Sequence, residues 1–336
     1  MQPKRFLPVA LFTLSPVVIA GTILLSILYG AKEIDAATIW DALFHFDPGN
    51  VNHQIVMHSR LPRVVGALLI GAFLAISGAL MQGVTRNPLA SPSIMGVTDG
   101  SAFAITACMV LMPQASSMEM IAISLFGSSC AVAMVLTLSR LLPNGMTPVG
   151  MAIIGTITGT FLSSLSAALA SYFQISQSVS FWYNARLHLL EPGLIKLAIP
   201  FAVVGIALAL FLSRSIMILS LGEDISASLG QKTILVKLLA TAAVVILTGI
   251  SVALAGKIGF VGLIIPHITR FLVGGSDYRL LVPCAALLGG IFLALSDVLS
   301  RFLNYPFETP IGVVTALFGV PFFLYLIYTR GGGKHA

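Results

Sequence analysis

Ten apolar runs, separated by polar stretches, organise the chain. They fall at about residues 6–30, 61–83, 93–112, 118–141, 147–172, 194–213, 232–254, 258–273, 279–300 and 310–328. A helix rises about 1.5 Å per residue, so roughly 20 apolar residues cross a hydrocarbon core about 30 Å thick. The pattern therefore predicts an all-α polytopic membrane protein of about ten spans. The eighth run is short and contains Pro266, which predicts a break there, giving a half-helix or re-entrant segment. Irregular backbone is tolerated at depth only where protein or a water-filled cavity covers it. The longest polar stretches, about 31–60, 173–193 and 213–231, are too small for a soluble domain, so a single membrane domain over 1–336 is expected. In the first stretch, Ile34, Ile39, Trp40, Leu43 and Phe44 stand among acids, as in a short amphipathic helix at the outer interface.

Composition agrees with lipid as the main solvent. Hydrophobic residues make up 57% and charged residues 9%, against roughly 25% charged in soluble domains. Lys4 and Arg5 precede an apolar run to Gly30. That run exceeds the roughly 7–15 residues of a signal-peptide core, and Leu28-Tyr29-Gly30 is no A-x-A cleavage site. A retained first span is expected. The net charge of +6 reads as membrane topology, not as nucleic-acid binding. With both ends cytoplasmic, Arg86, Arg140, Arg214, Lys232, Lys237, Arg270 and Arg279 lie inside, and Glu33, Asp35, Asp41 and Asp47 outside.

Enzyme chemistry finds no support in the sequence. Gly331-Gly332-Gly333-Lys334 lacks the Ser or Thr of a phosphate loop. Paired carboxylates and a nucleophile elbow are missing too. Cys108, Cys130 and Cys284 sit singly in apolar runs, and the six histidines are scattered, so no metal or other cofactor is expected on this chain. Ionisable residues are scarce inside the spans, Asp297 being the clearest. Ion-coupled transporters carry intramembrane acid or His relays, so the driving energy is expected from a partner ATPase.

Three stretches are distinctive. The first runs from Arg60-Leu61-Pro62-Arg63 through Gly71, Gly78 and Gln82 to Arg86-Asn87-Pro88-Leu89-Ala90-Ser91-Pro92 and Gly96. The second holds Lys257-Ile258-Gly259-Phe260-Val261-Gly262-Leu263, then Pro266-His267, Arg270 and Asp277-Tyr278-Arg279. The third holds Asp297, Arg301, Glu308, Pro310-Ile311-Gly312 and Gly319-Val320-Pro321-Phe322. Together they resemble the ABC importer permease family for iron(III)-siderophores, haem and cobalamin (FecCD/BtuC-like), over essentially the whole chain. The resemblance implies the type II importer permease fold in the cytoplasmic membrane, with inverted duplication of spans two to five and seven to ten. It also implies partners: two cytoplasmic ATP-binding subunits, a second permease subunit, identical or homologous, and an extracytoplasmic substrate-binding protein. Iron(III)-siderophore is the expected cargo, with haem or cobalamin as the alternative. A secondary transporter is the distant rival, separable by its independence of ATP and of a binding protein.

Candidate sites follow. Gly222 and Gly230 bracket a short helical piece with Glu223 and Asp224 in its first turn and Ile225 and Leu229 on one face. The resemblance makes this the helix that couples to the ATPase; a solvated loop would leave its apolar pair unexplained. The fifth span follows Asn144-Gly145-Met146-Thr147-Pro148, and resemblance makes it the inner gate. Its Gly155, Thr156, Thr158, Gly159, Thr160, Ser163 and Ser164 give a small, mildly polar surface, suited either to a sliding ligand or to helix packing. Arg60, Arg63 and Arg301 lie at the outer ends of spans, against the inward bias of positive charge. They either snorkel to headgroups or, by resemblance, dock the binding protein through its acids. Asn87-Pro88 should end the second span, Pro92 should open the next helix, and His267 should cap or pack, not ligate.

Overall fold

The structure is a computed structural model and describes residues 6–331 apart from 31, 144, 146, 185, 186, 276 and 306. Helices follow in the order α1 (Phe6–Leu28), α2 (Ala36–Phe44), α3 (Val51–Ile55), α4 (Leu61–Val84), α5 (Val97–Leu111), α6 (Ser117–Leu141) and α7 (Pro148–Tyr172). Then come α8 (Ser176–Tyr183), α9 (Pro192–Leu219), α10 (Glu223–Ser228), α11 (Thr233–Ala255), α12 (Val261–Val273), α13 (Tyr278–Ser300) and α14 (Ile311–Gly331). Seven are long and apolar enough to cross a bilayer, and the shorter apolar α5, α12 and α14 complete the ten expected spans. Among the described residues no β-strand forms; the only pairing is the isolated bridge Asn304–Phe307.

Local chemistry explains the ends. Ser116 and Glu119 form a capping box at α6, and Thr147 Oγ1 accepts from Gly150 N at 3.1 Å to start α7, with Pro148 at the first position. Asp35 caps the expected amphipathic α2, and the Thr38 hydroxyl and amide hold its carboxyl below the usual carboxylate range. Ile39 and Ala42 turn inward while Trp40, Leu43 and Phe44 stay exposed. A continuous helix runs from Val51 to Val84. Within it Pro62 has no N–H for the carbonyl of His58, and a π turn at Val56–Arg60 absorbs the fault.

The spans form two halves with one packing scheme. In the first, α5 packs on α6 and α7; in the second, α12 packs on α13 and α14. Across the halves, α4 lies on α12 and α13, and α11 lies on α5 and α6. Helices α4 and α11 are the second and seventh spans, and they pack on each other. They are also the enclosed centre: in the most apolar 18-residue stretch of each, 78% of residues are buried, against 22% in that of α1. Glycine sets these approaches. A methyl on Gly71 would lie 2.2 Å from the carbonyl oxygen of Gly289, and one on Gly78 would lie 1.8 Å from that of Gly262. Side chains there would drive α13 and α12 off α4.

Two expectations need correction. Pro266 does not break the eighth span: α12 runs through it, and the irregular backbone precedes it at 256–260. The carbonyl that Pro266 leaves without a helical donor belongs to Gly262, and Gln82 Nε2 of α4 reaches it at 3.4 Å and Leu263 O at 3.2 Å. The real break carries positive φ at Gly256 and at Phe260, the latter rare for a bulky residue. Pro92, second, opens a 3-10 turn at Pro92–Met95; α5 starts only after Gly96, at φ 69°. As expected, α4 stops before Asn87-Pro88, at Val84.

Candidate translocation path and coupling segment

Helix α7 is built to be approached from one side. A methyl on Gly155 would lie 1.7 Å from Ile94 O, and one on Gly159 would lie 2.6 Å from Asp99 Oδ2. The Gly155–Gly159 pair thus seats the turn before α5 and the first residues of α5. Ser163, one turn on, donates to Asp99 Oδ1 at 2.9 Å. Beside this seam the exposed Thr156, Thr160 and Ser164 line an open cavity of about 570 Å³ with Ser93, Ile94 and Asp99. Thr156 and Thr160 donate to the carbonyls of Ala152 and Thr156, at 2.8 and 2.9 Å. The surface is therefore polar but offers no free hydroxyl donor at those positions. Of the proposed gate residues, Thr147 caps α7, Gly155, Gly159 and Ser163 share the seam, and Met146 lies outside the described residues.

Asp99 and Lys257 were not singled out by sequence reasoning as a site. Lys257, in the break before α12, places Nζ 2.7 Å from Asp99 Oδ1 and 3.4 Å from Ser163 Oγ, and 5.1 Å from the centre of the Tyr183 ring. The usable signal was an acid at the third position of an apolar helix and a lysine inside the second distinctive stretch. Their partnership joins residues 158 apart.

The three outer arginines form a different object from the one expected. They are buried: Arg60, Arg63 and Arg301 are 6%, 8% and 6% exposed. Arg63 donates from Nε and Nη2 to Asp297 at 2.9–3.0 Å and from Nη1 and Nη2 to Glu308 at 2.7 and 3.0 Å. Arg301 also pairs with Asp297, one turn earlier, and donates to the carbonyls of Ser26 and Tyr29 at 2.8 and 2.9 Å. Arg60 donates to the carbonyls of Ile27, Leu28 and Lys32. The last carbonyls of α1 have no helical donor, and two guanidinium groups supply one. In this conformation the trio does not present free cations for docking; it ties α1, α4, α13 and the segment before α14 together.

A short helix, α10, forms between Gly222 and Gly230. Gly222 and Gly230 take φ of 136° and 77°. Ile225 and Leu229 are 48% and 64% exposed. The piece is fixed from behind: Lys237 Nζ donates to Glu223 Oε1 at 2.7 Å, and Gln231 Nε2 donates to Ser215 O at 3.0 Å. Leu229 is the C-cap, one residue past the helix. An adjoining cavity of about 470 Å³ is lined by Arg86, Leu221, Arg270 and Phe271 among others. His267 packs edge-on against Phe322, ring centres 5.7 Å apart, and no three acids, Cys or His converge as a metal site among the described residues.

Residues 18–329 match the sequence profile of the FecCD transport family. The chain belongs to the FecCD transport family. One FecCD-type relative, the iron-uptake system permease protein FeuB of Bacillus subtilis (strain 168), is 61% identical over 335 residues, covering all of both chains. A second, the iron(3+)-hydroxamate import system permease protein FhuB of the same organism, is 47% identical over 92% of this chain and 82% of that one. Among solved structures, an inward-facing metal-chelate type ABC transporter superposes with a TM-score of 0.83 at 30% identity, over 96% of this chain and 99% of its own. FecCD membership and the helices together make this a multi-pass membrane protein.

Proposed function

We propose that this chain is the membrane-spanning permease subunit of a binding-protein-dependent ABC importer that moves iron(III)-siderophores across the cytoplasmic membrane. End-to-end identity of 61% with an iron-uptake permease carries the reading. The likeness to a hydroxamate importer and to a metal-chelate transporter supports the same cargo class. ATP is hydrolysed by two separate ATP-binding subunits. A second permease subunit, identical or homologous, closes the path, and an extracytoplasmic binding protein delivers the cargo. The chain binds no cofactor and performs no covalent chemistry.

Its work is to offer arrangements that open to one side or the other, which the ATPases bias by differential contacts. Ile225 and Leu229 suit the contact that transmits this bias, since both are exposed apolar groups on a braced segment. The α7 face suits the path: its glycines hold α5 close, and its threonine hydroxyl donors are already satisfied, so a bulky chelate slides without being held. The experiment is uptake of radio-iron siderophore by a strain lacking the chain, with and without the restored gene. Restoration must require the partner ATPase's catalytic residues. Uptake that persists with an inactive ATPase sinks the reading in favour of a secondary transporter.

A further inference from the structure

The Asp99–Lys257 pair is placed unlike the outer arginines. The outer arginines are locked, with side chains at most 9% exposed for Arg63 and 5% for Arg301, and each makes several bonds to fixed acceptors. Lys257 is 32% exposed at its side chain, and Asp99 is 22% exposed. Asp99 lies on the wall of the α7 cavity, near the middle of that helix, where Gly159 leaves room for its carboxylate. A lysine ammonium is a compact charge on a flexible stem, without the planar fork that fixes an arginine. Intramembrane charges that face a bundle interior or a cavity pair with one another and mark substrate or ion pathways.

We propose that Lys257 is a ligand-facing cation of the transport path and that it exchanges Asp99 for an anionic oxygen of the passing chelate. The threonine donors of the same surface are spent on their own helix, and Lys257, bonded to the wall residue Asp99, is the charged donor next to it. Asp99 keeps its bond from Ser163 when the lysine turns away. Asp99 then competes with the ligand for the same ammonium, which keeps the contact transient. The ligand class is an anionic metal chelate, such as a tris-catecholate of iron(III), as opposed to a neutral tris-hydroxamate. A rigid strut between α5, α7 and the break before α12 is the competing role. It predicts equal damage from neutralising either partner, whatever the cargo charge.

This inference rests on the importer reading, and wild-type uptake of iron chelate is its control: failure there overturns that reading first. With uptake established, the assembled permease–ATPase complex in nanodiscs is tested for binding of radio-iron tris-catecholate and neutral tris-acetohydroxamate. Asp99→Asn frees the lysine and must tighten trianion binding about tenfold, the effect of removing one nearby charge in a partly wet site. Asp99→Asn with Lys257→Gln must abolish that gain, and the neutral chelate must bind all forms alike. No gain in Asp99→Asn, or an equal gain for the neutral chelate, overturns the proposal. If Asp99→Asn fails to assemble, Lys257→Cys decides, in a background with Cys108, Cys130 and Cys284 changed to Ser. A small hydrophilic thiol reagent must reach that cysteine and the trianion must protect it; an unreactive or unprotected cysteine overturns the proposal.

Discussion

Arg63→Met tests whether the outer arginines are struts. The substitution removes the donor that faces Asp297, whose side chain is 2% exposed, and Glu308, which is 41% exposed. Losing one partner of a buried ion pair costs roughly 3–5 kcal/mol. Asp297 keeps Arg301, and Glu308 is free to turn to water, so the low end, about 3 kcal/mol, is expected. Asp297→Leu should cost about the same, because Arg63 retains Glu308 and Arg301 retains the carbonyls of Ser26 and Tyr29. The double variant should be milder than the sum by at least about 1 kcal/mol, since it removes Arg63 and Asp297 together and leaves Arg301 on the carbonyls of Ser26 and Tyr29. Thermal unfolding of the detergent-purified chain, followed by size-exclusion fluorescence, reads this. At roughly 2 °C per kcal/mol for a chain of this size, Arg63→Met should lower Tm by about 6 °C. An unchanged Tm in Arg63→Met, or strict additivity in the double variant, refutes the strut and returns these residues to a surface role.

Three other outcomes are expected. Gly155→Ala puts a methyl into the carbonyl of Ile94, so the α7–α5 seam must part; uptake should fall at least tenfold while Gly193→Ala, with open space around it, transports normally. Ile225→Asp or Leu229→Asp should keep wild-type membrane levels, because both side chains are exposed, yet should uncouple ATP hydrolysis from uptake in proteoliposomes. A cysteine at Thr147 should change its reactivity to cytoplasmic thiol reagents between nucleotide-free, ATP and ADP states, and constant reactivity counts against α7 as a gate.

The spans were legible because their signal is local: about 20 apolar residues suffice to predict a crossing. The glycine-bracketed α10 was legible for the same reason, since Gly222 and Gly230 lie eight residues apart in sequence and take the positive φ they alone tolerate well. What failed was non-local. Pro266 looked like a break because its neighbours in sequence cannot satisfy the carbonyl of Gly262; Gln82, 180 residues earlier, does. Arg63 looked exposed because Asp297 and Glu308 stand 234 and 245 residues away. The same distance hid the Asp99–Lys257 contact, and the abundance of apolar neighbours made each charge look incidental.

The pairing of Asp297 with Arg301 on one face of α13 bears on how the chain is made. With both termini cytoplasmic, the topology that the charge pattern predicts, the end of α13 is an outer end and both residues are carried through the bilayer during synthesis. Four residues apart on a helix, they meet within their own segment, so the contact needs no other span. They enter as a neutral couple, and the penalty for moving two separate ions into hydrocarbon is largely avoided. The same residues then meet two elements synthesised far earlier: Arg63 of α4, which takes up Asp297, and the waiting end of α1, which receives Arg301. Ribosomal order thus leaves the last turn of α1 only partly capped, by Arg60, until the ninth span arrives to complete it.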